Sequence, residues 1–139
     1  MKNAVIEAIT ARFASLSECV AALNADLLNE RLPVPKSKSL GEHLWCIVGA
    51  RESYTRALAV GQWSGFACSL ETLEQAAILD ALHQSAQAFS DTVQALSDWS
   101  PEREKLLLAL LEHECMHEGQ IIRHMYGMGQ TLPASWKWA

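Results

Sequence analysis

The sequence lacks the features of a membrane protein and of a nucleic-acid-binding protein. Hydrophobic residues make up 50% of the chain, yet no apolar stretch reaches the about 18 residues that a membrane-spanning helix needs. The net charge is −5 and basic residues form no cluster, so the attraction that supplies most nucleic-acid affinity is missing. Glu7 interrupts the N-terminal segment where a signal peptide would be apolar. We therefore expect a cytoplasmic protein with no membrane or nucleic-acid partner.

The cysteines form no recognisable pattern. Cys19, Cys46, Cys68 and Cys115 are far apart, with no Cys-x-x-Cys pair. This spacing excludes a zinc ribbon and gives no disulfide framework. We expect reduced thiols, with Cys46 as a small core residue.

Strand patterns are also missing, because no stretch alternates apolar and polar residues. Ala, Leu, Glu and Gln dominate, and the 139 residues fit one domain with a real core. We predict an all-α protein, a single four-helix bundle domain over residues 1–139. The predicted helices run from about 3 to 29, 39 to 60, 71 to 96 and 100 to 127 or 129, and residues 130–139 form a C-terminal tail.

Local signals set several of these bounds. The Leu32-Pro33-Val34-Pro35 segment stops helix 1. Ser39-Leu40-Gly41-Glu42 is a capping box that opens helix 2, and Ser100-Pro101 opens helix 4.

The connection between helices 2 and 3, residues 61–70, has no helical period. At about 3.3 Å per residue it can cross the whole bundle. A crossover makes helices 2 and 4 antiparallel and brings His43 near the level of His117. We therefore predict an up-down-down-up topology.

Helix 4 carries the most informative pattern, His113-Glu114-Cys115-Met116-His117. Residues i and i+4 stack on one helix face, about 6 Å apart along the axis, so both rings can converge on one ion. The stripe that contains them turns polar halfway, and burying imidazoles without partners would cost about 1–3 kcal/mol each. A divalent metal ion would satisfy them, and His43 is the best candidate for a third ligand. His124, on the same stripe, is expected in a second shell or at the rim.

Three imidazoles leave a fourth position on the ion for water or substrate, as in catalytic sites. The ion can then lower the pKa of a bound water or thiol. Gln120, one turn beyond His117, could orient a ligand.

Helix 4, read as His113-x-x-x-His117-x-Gly119-Gln120-Ile121, together with His43 in helix 2, resembles the DinB-like superfamily. The resemblance implies a four-helix bundle with a long connection between helices 2 and 3. It also implies a three-histidine divalent site from His43, His113 and His117. Members with known activities include thiol-dependent transferases and isomerases.

The resulting hypothesis is a homodimeric metal-dependent enzyme that activates a thiol or water for transfer, isomerisation or hydrolysis of a small molecule. The candidate ions are zinc, nickel, iron and manganese, and a low-molecular-weight thiol is a candidate cofactor. The alternative is a non-catalytic bundle that works through its surface or its dimer, with its histidines satisfied by Glu42 or Glu114. His113-Glu114-x-x-His117 also matches the zincin signature, in which Glu114 would be the catalytic general base.

Overall fold

The computed structural model describes residues 1–139 and contains four α-helices and no strand. The predicted all-α four-helix bundle is confirmed. None of the helices combines the length and apolarity needed to cross a membrane. The helices are α1 (Lys2–Ala22), α2 (Leu40–Val60), α3 (Gln75–Ala95) and α4 (Pro101–Gly127), and a short 3₁₀ helix covers Ala25–Asn29.

The predicted starts of α2 and α4 are confirmed. The Ser39 side chain accepts from the backbone N–H of Glu42, and the Glu42 carboxylate accepts from that of Ser39, which completes the capping box. Ser100 caps α4 in the same way through the N–H of Arg103. Both caps satisfy donors that the first turn leaves free.

The first predicted helix, 3–29, was too long. Leu23 has extended backbone angles (φ −72°, ψ 141°) and ends α1. Asn24 then caps the 3₁₀ helix by accepting from the N–H of Asp26 at 3.1 Å. An asparagine that caps a new helix competes with continuation of the old one, and the apolar period alone did not reveal this break.

A distant side chain stabilises the early end of α1. Gln75 Nε2, from the first turn of α3, donates to the carbonyl oxygens of Val20 and Leu23 at 2.8 and 2.7 Å. The last carbonyls of a helix lack their usual i+4 donors, and that of Val20 otherwise accepts from the N–H of Leu23 at 3.3 Å.

The third helix begins at Gln75, later than the predicted residue 71. Residues 61–74 instead run back along α2. The N–H of Ala67 donates to Ser53 Oγ at 3.0 Å, and Trp45 Nε1 donates to the carbonyl of Leu70 at 3.2 Å. The connection therefore travels from the end of α2 to its beginning, and α3 runs parallel to α2.

Contacts between the other helix pairs show in which direction α1 and α4 run. His43 meets His117 near one end of the α2–α4 pair, and Arg103 Nε donates to the Leu58 carbonyl near the other, so these helices are antiparallel. Phe13 packs on Phe89, while Gln75 contacts the end of α1, so α1 and α3 are antiparallel too. The up-down-down-up topology is confirmed.

The core consists of two apolar clusters, with a charged layer between them along the bundle. The larger cluster includes Trp136 of the C-terminal tail, whose Nε1 donates to the Ser15 carbonyl at 3.0 Å. The smaller one gathers Ile9, Phe13, Leu58, Phe89, Leu107 and Leu110. Arg51, Glu114, Arg12 and Glu118 form the layer as two ion pairs.

Candidate metal centre

A cleft with a volume of about 700 Å³ lies between the beginning of α2, the second half of α4 and the segment before α2. The crossover creates it, because only antiparallel α2 and α4 place the start of one beside the later turns of the other. Its lining includes His43, Cys46, His113, His117, Gln120, Arg123 and His124.

All three predicted ligands line this cleft, but His43 is not in the group of side chains whose donor atoms all lie within 4.8 Å of one another, which consists of His113, His117 and Cys46. Nδ1 of His43 lies 3.2 Å from Nδ1 of His117. The ring centroids of His113 and His117 are 4.5 Å apart, as expected for residues one turn apart on one helix face. His117 is only 2% exposed and His43 is also buried.

Cys46 joins this group, which the sequence did not predict. Its Sγ lies 3.8 Å from Nε2 of His113. The donor atoms of Cys46, His113 and His117 all lie within 4.8 Å of one another. The available signal was helical spacing, because Cys46 follows His43 by three residues and therefore shares its face.

Burial keeps the imidazoles neutral. Desolvation lowers the pKa of His43, His113 and His117, and the pKa of His117 falls to about 3. The positive charge of Lys38 lowers all three pKa values further. Neutral imidazole is the form that binds metals.

Several buried ring nitrogens have no hydrogen-bond partner: Nδ1 of His113, Nε2 of His117 and Nε2 of His124. Unpartnered buried polar atoms are rare and cost about 1–3 kcal/mol each. In His113 and His117 these are not the nitrogens that face Cys46 and His43, which are Nε2 and Nδ1. His124 was expected either behind the ligands or at the rim; it is buried, which argues against the rim, and its ring centroid lies 6.2 Å from that of His43.

Two pairs of donor atoms have the spacing of ligands on one divalent ion. In a tetrahedral zinc site with bonds of about 2.0–2.3 Å, two nitrogens are separated by about 3.3 Å and a nitrogen and a sulfur by about 3.6 Å. The distances between His43 and His117, 3.2 Å, and between Cys46 and His113, 3.8 Å, are close to these values.

The two predicted catalytic residues lie in different places. Gln120 is exposed on the cleft, and its side chain opposes only slightly the lowering of the pKa of His43 and His117 that burial causes. Glu114 instead points into the bundle, where both of its oxygens accept from Arg51. It does not line the cleft, because its position on α4 is turned about 100° from His113.

All the charged side chains in the rest of the cleft lining are basic. Lys36, Lys38 and Arg123 contribute to it, whereas no aspartate or glutamate does. This asymmetry is notable in a chain with a net charge of −5. The cleft therefore favours an anion over a cationic or neutral molecule of the same size.

The fold and this cluster define a helical bundle with a candidate metal centre. No protein-family model matches the chain, and no curated protein matches it significantly in sequence. The crystal structure of a DinB-like protein from Bacillus cereus ATCC 10987 is similar to it, with a TM-score of 0.71 and 19% identity over 94% of each chain. The chain thus has a DinB-like fold, which confirms the predicted resemblance at the level of the fold.

Proposed function

We propose that this protein binds one divalent metal ion through His43, His113 and His117. It would use that ion to activate a thiol or water for transfer, isomerisation or hydrolysis of an anionic small molecule. The observation that carries the proposal is the meeting of three imidazoles with lowered pKa values, two of them buried, from α2 and α4 in one cleft that is open to solvent.

The chemistry divides between the ion and the surrounding residues. A bound divalent ion supplies Lewis acidity, which lowers the pKa of a thiol or water that binds it. Gln120 would orient the bound molecule, because its exposed side chain lines the same cleft as the histidines. Glu114 takes no part in this chemistry and has a structural role, since Arg51 occupies both of its oxygens.

The charge of the cleft supports the choice of an anionic molecule. Lys36 and Lys38 come from the segment before α2, and Arg123 comes from α4. The two lysines precede His43 in sequence and Arg123 follows His117. A carboxylate or phosphate beside the metal would therefore meet positive charge from two separate parts of the chain. The resemblance to thiol-dependent enzymes is compatible with an acidic thiol as that molecule.

Elemental analysis of the protein, stripped with chelator and reloaded with zinc, tests the proposal. We expect near-stoichiometric metal in the wild type and its loss in His43→Ala and His117→Ala. His83→Ala is the matched control, because His83 is exposed on α3 and away from the cleft. Absence of metal from the wild type after loading with zinc, nickel, iron and manganese would refute the proposal.

The homodimer and the cytoplasmic location stay predictions. Sedimentation equilibrium measures the first and cell fractionation the second. If the isolated chain is a monomer at all concentrations tested, the dimer is refuted, and the metal centre stands on its own residues.

A further inference from the structure

We propose that Cys46 is a thiolate ligand of the metal centre and that the resulting mixed cysteine–histidine donor set selects zinc over manganese. The inference rests on the proposed function, since it assumes that the histidines hold an ion. It adds a ligand and a choice of metal that the three-histidine pattern does not contain.

The position of the sulfur supports this role. Cys46 Sγ faces His113 Nε2 across the α2–α4 interface at 3.8 Å, close to the about 3.6 Å that separates sulfur and nitrogen on one tetrahedral zinc. Its donor atom also lies within 4.8 Å of that of His117. His43 and Cys46 are three residues apart on α2, so one face of that helix presents both.

The other cysteines have different surroundings. Cys19 is buried in the larger apolar cluster, where desolvation raises its pKa to about 11. Cys68 Sγ donates to the carbonyl of Trp45 at 3.4 Å. Cys115 is exposed on α4, although it lies between His113 and His117 in sequence. Among the four sulfurs, only that of Cys46 meets imidazole nitrogens.

The chemical consequence follows from the nature of the ligand. When the sulfur–metal bond forms, the thiol proton leaves to solvent, because the thiolate is the ligand. Thiolate ligands favour zinc, whereas manganese prefers oxygen donors. Cys46, His113 and His117 have donor atoms within 4.8 Å of one another, and His43, which faces His117, would be a fourth donor. A substrate would then add as a fifth ligand, which catalytic zinc sites accommodate.

Cobalt(II) substitution tests the inference by spectroscopy. Visible d–d bands report binding to the centre, and a near-ultraviolet sulfur-to-cobalt charge-transfer band reports a thiolate ligand. We expect both in the wild type. Cys46→Ser should keep the d–d bands and lose the charge-transfer band. Cys115→Ser is the matched control and should keep both, since that sulfur points to solvent.

The outcomes separate the two proposals. Absence of d–d bands from the wild type would refute the metal centre and the inference with it. Wild-type d–d bands without a charge-transfer band would refute only the Cys46 ligand. The wild-type spectrum decides this point even if Cys46→Ser does not fold, and circular dichroism checks that fold.

A competition experiment tests the choice of metal. We expect the preference for zinc over manganese, measured as the ratio of the two dissociation constants, to fall about 10- to 100-fold in Cys46→Ser, as even residues around a metal ligand change affinity that much. An unchanged ratio in a folded Cys46→Ser protein would contradict the inference.

Discussion

Arg51 and Glu114 form a fully buried ion pair between α2 and α4, in which Arg51 Nε lies 2.8 Å from Oε1 and Nη2 lies 3.0 Å from Oε2 of the carboxylate. The arginine also lies over the ring of Phe13 from α1. Glu114 directly follows His113 in sequence. The Arg51–Glu114 ion pair therefore fixes the rotation of α4 about its axis. The rotation in turn makes His113 and His117 face the cleft.

Removal of one partner of this pair should be strongly destabilising. Arg51→Met leaves the Glu114 carboxylate buried without its partner, so we expect the free energy of unfolding to fall by about 3–5 kcal/mol. Urea denaturation measures this change. The double variant Arg51→Met/Glu114→Leu is the control and should recover most of the loss, since it removes both charges. A single variant as stable as the wild type would show that the pair does not hold the helices together.

The stability of the metal-free protein should depend on pH through His117. Its pKa is about 3 in the folded protein and about 6.5 in an unfolded chain. Above pH 6.5 both states are neutral, so His117 contributes no pH dependence. Between pH 6.5 and 3 the unfolded chain takes up a proton that the folded protein does not, and stability falls.

Urea denaturation of the metal-free wild type and His117→Gln across pH 4–8 measures this effect. The difference between the two proteins should move in favour of His117→Gln as the pH falls below 6.5, because glutamine does not titrate. Exposed His83 is the comparison, and His83→Gln should follow the wild type. Parallel curves for the wild type and His117→Gln would contradict the burial of a neutral imidazole.

The charge of the cleft predicts a preference among thiols. With the zinc-loaded protein, mercaptoacetate should bind more tightly than 2-mercaptoethanol, because Lys36, Lys38 and Arg123 line the cleft and no acidic residue does. Lys38→Gln should reduce this preference by roughly 1.5- to 5-fold, as exposed charge pairs contribute about 0.2–1 kcal/mol. Isothermal titration calorimetry measures both affinities.

Lys105→Gln is the matched control for the thiol experiment, since Lys105 lines a different groove on the other half of the bundle. It should leave the preference unchanged. Equal affinity of the wild type for the two thiols would refute an anionic substrate and leave the metal centre untouched.

The parts of the site that sequence could predict depend on local geometry. The spacing of His113 and His117 places them on one helix face whatever the tertiary structure, and the capping box at Ser39 fixes the start of α2. The crossover was also predictable, because only one direction of α4 brings His43 level with the other two histidines. These features need no knowledge of distant contacts.

The rest depends on pairs that are far apart in sequence. Gln75 ends α1 from α3, Arg51 takes Glu114 away from the cleft, and Cys46 meets His113 across a helix interface. Each residue has an ordinary alternative role when read alone: a surface glutamine, a solvent-exposed arginine or a small core cysteine. Only the packing of α2 against α4 and of α1 against α3 selects between these roles.

The crossover itself depends on a close approach at Gly49 of α2. A Cβ atom there would lie 2.2 Å from Cζ of Phe66 and 2.8 Å from Cβ of Cys68. The ring of Phe66 is exposed and can rotate away, but the Cβ of Cys68 can move only with the backbone of the connection. We therefore expect Gly49→Ala to lower the free energy of unfolding by about 1–3 kcal/mol, the usual cost of overpacking.

For comparison, Gly119→Ala should change the free energy of unfolding in the opposite direction. No atom lies within 4 Å of a Cβ at Gly119, so alanine there should stabilise α4 by about 0.4–1 kcal/mol, as it restricts the unfolded chain. Urea denaturation of both variants measures the two effects. If Gly49→Ala also stabilised the protein, the connection could not pack against α2 at this point, and the path that sets the antiparallel pairing of α2 and α4 would have to be different.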